Sequence, residues 1–211
     1  MFVKICGITR QEDAAAAVEA GASALGFVFW PESPRFVDPY RARSIVATLP
    51  PFVTAVGLFV NQPASYINGV ASLAHLGAVQ LHGDEAPEEA ALVARPIIKA
   101  IGLIAGDRND AACDRWASHV ILLLDAHDPA RRGGTGRVVD WSAAARIAAR
   151  RRTMLAGGLT PDNIAEAIER VHPFGVDVSS GVEQSPGIKD RARLRALFER
   201  IHGITASQTR S

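Results

Sequence analysis

A pattern that repeats eight times constrains this chain most. Apolar, β-rich runs begin near Phe2, Ala24, Val53, Ala78, Ile97, His119, Thr153 and Gly175. Between them lie Ala-, Glu- and Arg-rich segments with apolar residues at helical spacing, such as Gln11 to Ala20, Pro39 to Leu49, Pro63 to His75, Pro87 to Ala94, Asp107 to Ala117, Asp140 to Arg150, Pro161 to Val171 and Asp190 to Ile201. Several open with Pro at an expected first turn, where its missing N–H costs nothing. Strand and helix in strict alternation specify a parallel sheet covered by helices. A repeat of roughly 26 residues, eight times over, predicts an α/β fold, a compact (β/α)8 TIM barrel near the lower size limit of that architecture. A doubly wound open sheet is the alternative and usually has fewer strands. No linker interrupts the pattern, so residues 1–211 read as a single domain, with Thr205 to Ser211 as a frayed tail.

Charge and cysteine usage narrow the partners. With 23 basic against 22 acidic residues, the chain has no electrostatic footprint for nucleic acid or an anionic membrane. Cys6 and Cys113 stand in unrelated contexts and make neither a disulfide framework nor a zinc motif. No basic region with an apolar signal core precedes Phe2, and no apolar run has membrane length. A cytoplasmic location is the expectation.

In a barrel, chemistry belongs at the C-terminal ends of the strands. Period-two alternation in Lys4-Ile5-Cys6 turns Ile5 to the helices and Lys4 and Cys6 inward, so Cys6 is either a small buried hydrophobe or a thiolate favoured by the cation beneath it. Arg35, in the Pro-bracketed Pro31-Glu32-Ser33-Pro34-Arg35 loop, is suited to a carboxylate in bidentate geometry, or is a solvated surface residue. Gln80 and His82 share one face of the fourth strand, and His82 reads equally as a base or as an orienting group. Lys99 on the fifth strand reads as a structural partner. The sixth strand is an apolar run, Val120 to Leu124, that ends in Asp125. A Gly- and Arg-rich stretch, Asp128 to Arg137, follows with the composition of a lid. The seventh and eighth strands break into Gly157-Gly158 and Ser179-Ser180-Gly181, where N–H groups can approach an anion without an intervening Cβ. Each alone could be a tight turn; in successive units they read as a phosphate cradle. In a closed barrel the eighth strand lies beside the first, which predicts a buried Lys4–Asp177 pair. The histidines lack metal-ligand spacing and no carboxylate cluster is evident, so no metal is expected.

Lys4-Ile5-Cys6-Gly7-Ile8-Thr9, Ser33-Pro34-Arg35, Gly57-Leu58-Phe59-Val60-Asn61, Gln80-Leu81-His82-Gly83, Leu124-Asp125, Gly133-Gly134-Thr135-Gly136, Leu155-Ala156-Gly157-Gly158-Leu159 and Asp177-Val178-Ser179-Ser180-Gly181-Val182-Glu183 together resemble phosphoribosylanthranilate isomerase, in that family's order and through nearly the whole chain. Arg137 stands where a Lys often follows the Gly-Gly-Thr-Gly segment. The resemblance implies Cys6 as general base, Asp125 as general acid and Arg35 at the anthranilate carboxylate. It also implies a phosphate on the Gly157-Gly158 and Ser179-Ser180-Gly181 loops, with Gln80, His82, Gly134 and Asp177 among the substrate-binding residues. The implied reaction is an Amadori rearrangement in tryptophan biosynthesis, with a small phosphorylated substrate and no cofactor, by a monomer or homodimer. Two alternatives stand beside it: another sugar-phosphate isomerase or epimerase barrel, and a non-catalytic barrel that binds a phosphorylated metabolite.

Overall fold

The computed structural model describes residues 1–103, 110–126 and 140–208. The first half runs β1 (Phe2–Cys6), α1 (Gln11–Ala20), β2 (Ala24–Val28), α2 (Pro39–Val46), β3 (Thr54–Phe59), α3 (Ala64–Leu73), β4 (Ala78–Leu81) and α4 (Pro87–Ala90). The second runs β5 (Ile97–Leu103), α5 (Asp110–Asp114), β6 (Ile121–Ala126), α6 (Trp141–Ala148), β7 (Thr153–Leu155), α7 (Ile164–Val171) and β8 (Gly175–Val178), then a hairpin, β9 (Glu183–Ser185) and β10 (Ile188–Lys189), and α8 (Arg191–Gln208). Strands β1 to β8 pair in parallel in chain order, and β8 pairs back onto β1 to close the barrel. The eightfold alternation therefore folds as expected, because each strand's helix-facing residues need a helix to cover them.

Local chemistry sets the helix boundaries. Asp38 caps α2 by accepting from the N–H groups of Tyr40 and Arg41, and Asp140 caps α6 in the same way through Ser142 and Ala143. In α7 the buried residues Ile164, Ala167, Ile168 and Val171 recur at helical spacing and dock on the barrel. The expected start of that helix at Pro161 is corrected, since residues 161–163 form a turn. Asn163 holds that turn by accepting from Thr160 N–H and donating to the Gly158 carbonyl. Of the expected tail, Thr209 to Ser211 lie outside the described residues. Helix α8 continues to Gln208, because extending a helix already nucleated on the core costs far less than starting one.

Alternation sends Lys4 and Cys6 into the lumen and Val3 and Ile5 into the layer beneath the helices. Ala24, Val56 and Ala78 pack together in the lumen, as do Leu123, Met154 and Ala156, and Phe2 and Ile98 touch both groups. Cys6 packs with Val28, Leu58, Val60 and Trp30. The register sets Lys4 directly beside Asp177, and Lys4 Nζ donates to both carboxylate oxygens at 2.9 Å. Lys99 instead serves the outer layer: its ammonium reaches the Gly83 carbonyl and Glu85 at 2.7 Å and lies over Trp116.

Candidate active site

The strand ends enclose a cavity of ≈ 490 Å³. Cys6, Arg35, Gln80, His82, Asp125, Gly157, Gly158, Asp177, Ser179 and Ser180 all line it, together with Val28, Trp30, Glu32, Ser33, Pro34, Leu58, Ala156, Leu159 and Pro186. Gly134 and the Gly-Arg stretch around it lie outside the described residues. Gly181 is not on the cavity wall but lines an adjoining hollow with Gly158 and Ser180. A Cβ at Gly181 would run into the Leu159 carbonyl oxygen, so glycine here lets the loop after β8 pack on the loop after β7.

Cys6 ends β1 and is 5% exposed. The space for its sulfur comes from β2, where a Cβ on Gly26 would stand 2.7 Å from Cys6 Sγ and 3.0 Å from Lys4 Cε. Burial pushes the thiol pKa up, and the Asp177 charge adds to that, while Lys4 and Lys189 pull it down. The expected effect of Lys4 is therefore present in direction but outweighed: Lys4 is already closed on Asp177, and desolvation is the larger influence. For Lys4 itself burial works against the charge, yet Asp177 and Cys6 more than offset it and its pKa is raised.

Asp125 is the penultimate residue of the dry β6 strand, and His82 Nε2 lies 3.4 Å from its Oδ2. On the other side of the ring, Gln80 Nε2 is 2.9 Å from His82 Nδ1. Gln80 is fully buried, and its Oε1 has no partner among the described residues.

The loops after β7 and β8 supply the other half of the site. Gly157 and Gly158 both line the cavity and hold positive φ, 79° and 66°, the left-handed region that penalises any side chain. Ser179 Oγ donates to the Cys6 carbonyl, tying the eighth strand end to the first. The Arg35 guanidinium closes on Glu183, Nε at 2.9 and 3.1 Å from the two oxygens and Nη2 at 2.7 Å from Oε2.

Three features have no clear signal in the sequence. Glu183 directly follows the Ser-Ser-Gly-Val segment, but nothing local ties it to Arg35. Lys189, buried on β10, belongs to a hairpin announced only by Pro186-Gly187. Trp30 and Leu58 carry no chemical signal of their own but form an apolar wall of the cavity. Among the described residues, no His, Cys, Asp and Glu side chains group as a metal site, and no helix is long and apolar enough to cross a membrane.

Residues 3–200 match the family model described as N-(5'phosphoribosyl)anthranilate (PRA) isomerase. The N-(5'-phosphoribosyl)anthranilate isomerase of Pelobacter propionicus is 53% identical over 209 residues, covering 98% of each chain. The crystal structure of phosphoribosyl anthranilate isomerase from Thermus thermophilus superposes with a TM-score of 0.88 at 43% identity, covering 97% of this chain and 100% of that one. A further phosphoribosyl anthranilate isomerase, solved in complex with reduced 1-(o-carboxyphenylamino)-1-deoxyribulose 5-phosphate, superposes at 0.86 with 42% identity over 96% of this chain and 99% of its own. The chain belongs to the N-(5'-phosphoribosyl)anthranilate isomerase family.

Proposed function

We propose that Cys6 is the general base and Asp125 the general acid of the family's reaction, with Arg35 on the anthranilate carboxylate and the Gly157-Gly158 and Ser179-Ser180 loops on the phosphate. The chain is an isomerase of L-tryptophan biosynthesis. It converts N-(5-phospho-β-D-ribosyl)anthranilate to 1-(2-carboxyphenylamino)-1-deoxy-D-ribulose 5-phosphate. The acid protonates the ring oxygen so that the sugar opens to an iminium, and the base then removes the proton from C2 to give the enolamine.

One observation carries this division of roles: a single cavity holds a thiol and a carboxyl at the ends of β1 and β6, three strands apart round the closed sheet. Such a separation suits a donor and an acceptor acting on opposite sides of one sugar, held at both ends by its charged groups. The ligand of the relative described above carries both a carboxylate and a phosphate, which supports two anion anchors. Val28, Trp30 and Leu58 offer an apolar surface for an aromatic ring, and the unpartnered Gln80 Oε1 suits a sugar hydroxyl. His82 acts through Asp125, fixing its orientation.

The test is the loss of substrate fluorescence with purified protein. Cys6→Ala and Asp125→Asn should each lower kcat by at least about 10²-fold with KM nearly unchanged. An Asp125→Asn enzyme that keeps more than about a tenth of the parental kcat would move the acid role elsewhere, to His82 first.

A further inference from the structure

The mouth of the barrel holds a chain of charges beside the acid–base pair. Glu183 receives Arg35 along one edge, and its Oε1 also accepts from Lys189 Nζ at 2.7 Å. The Lys189 ammonium donates as well to the carbonyl oxygens of Cys6, at 2.5 Å, and Ser179, at 3.3 Å. All three side chains are withdrawn from water, with exposures of 12% for Arg35, 4% for Glu183 and 0% for Lys189. The Arg35 stem is confined too, since a Cβ on Gly7 would stand only 2.6 Å from Arg35 Cδ.

Two properties of this cluster point beyond structural support. A guanidinium is a rigid planar fork, and Glu183 takes the edge formed by Nε and Nη2. The edge formed by Nη1 and Nη2 lies outside those bonds, on a residue that lines the cavity. The second property is charge. Arg35 and Lys189 bring two positive charges against the single negative charge of Glu183, in surroundings too dry to screen the difference. Lys4 and Asp177 close on one another, as do Arg10 and the Asp13 carboxylate beside Lys189, so neither pair alters the balance, and Glu32 on the rim is exposed. A ligand carboxylate on the Nη1–Nη2 edge would complete both the fork and the charge count.

We propose that Glu183 and Lys189 are positioning residues for carboxylate recognition. Glu183 locks one edge of Arg35 so that the other faces the cavity, and Lys189 supplies the second positive charge that lets Arg35 hold two carboxylates at once. The inference rests on the assignment of Arg35 to the anthranilate carboxylate made above.

Steady-state kinetics on the parent, Glu183→Gln, Glu183→Asp and Lys189→Met test it, with inorganic phosphate as a competitive probe of the other anchor. Glu183→Gln should raise KM about tenfold or more while kcat stays within about threefold, because a bidentate charged contact is lost and the Arg35 edge is no longer aimed. The inhibition constant of phosphate should not move, and Glu183→Asp should restore part of the KM. Lys189→Met should also raise KM, since Glu183 would then neutralise Arg35. An unchanged or lower KM for Glu183→Gln, the outcome if Glu183 only damps the attraction of an anionic substrate, overturns the proposal. A phosphate constant that rises in step with KM overturns it equally, as a general collapse of the mouth. Should Glu183→Gln fail to fold, parental KM values for Glu183→Asp and Lys189→Met would overturn the proposal by themselves. A parent enzyme without turnover would remove the proposed function itself, whereas normal turnover with insensitive variants removes only this inference.

Discussion

At the scale of single residues, Cys6 shows how burial and charge compete. The sequence puts a cation one pleat below the thiol, but the fold commits that cation to Asp177 and encloses the sulfur, so the thiol pKa lies above its ordinary value. As the proposed base, Cys6 must be deprotonated to act, so activity should grow with pH. The rising limb of kcat/KM, which reports the free enzyme, should have its midpoint above about pH 8.5, the ordinary thiol value. Lys4→Met should move that limb further up, since Lys4 pulls the thiol down. A profile in the parent that is already flat by about pH 7.5 would mean that Cys6 does not titrate as the base in this range.

At the scale of elements, the loop after β7 and the β9–β10 hairpin decide how the site is presented. Both glycines of the first are in the left-handed region, and Asn163 clamps the loop through Gly158 and Thr160. Gly158→Val should therefore strain the loop by about 1–2 kcal/mol and obstruct its N–H groups. We expect a raised KM for the phosphorylated substrate and weaker inhibition by inorganic phosphate, with kcat close to parental; normal values of both binding constants would place the phosphate elsewhere. The hairpin is invisible to hydrophobic periodicity because its buried side chains are Glu183 and Lys189. It docks through Thr9, which donates to the Gly187 carbonyl, and through Asp13, which accepts from Lys189 N–H. Each of those contacts spans most of the chain, so no local pattern announces it.

For the molecule as a whole, closure of the barrel is also an electrostatic event, because it brings Lys4 and Asp177 together from opposite ends of the chain. Removing one partner leaves a buried charge alone, so Lys4→Met should destabilise by about 3–5 kcal/mol. The double change Lys4→Met with Asp177→Leu should recover much of that loss, and chemical denaturation of the two variants would measure it. The pH dependence has a definite sign. The folded pKa of Lys4 is raised, so its contribution is fully present below the unfolded value of about 10.4 and is lost as pH rises through the folded value. Alkaline unfolding should accordingly begin later in the parent than in the Asp177→Leu variant. Coincident alkaline transitions would show that the pair adds no such stability.

What the sequence determined by itself was whatever depends on local period and order. Eight apolar runs set between helical segments suffice for a barrel, and the alternation of Lys4, Ile5 and Cys6 suffices to aim the thiol inward. The strand ends supplied nearly the whole set of cavity residues, from Cys6 through Asp125 to Ser180, because a parallel barrel gathers its C-terminal ends on one rim. The tertiary structure alone decided what lies next to those residues. That Lys189 donates to the Cys6 carbonyl, that Glu183 occupies one edge of Arg35, and that Gly26 makes room for the sulfur all depend on contacts between segments far apart in the chain. The direction of the Cys6 shift was decided there as well, since the sequence names the charges, but only the packed fold states how much water is left between them.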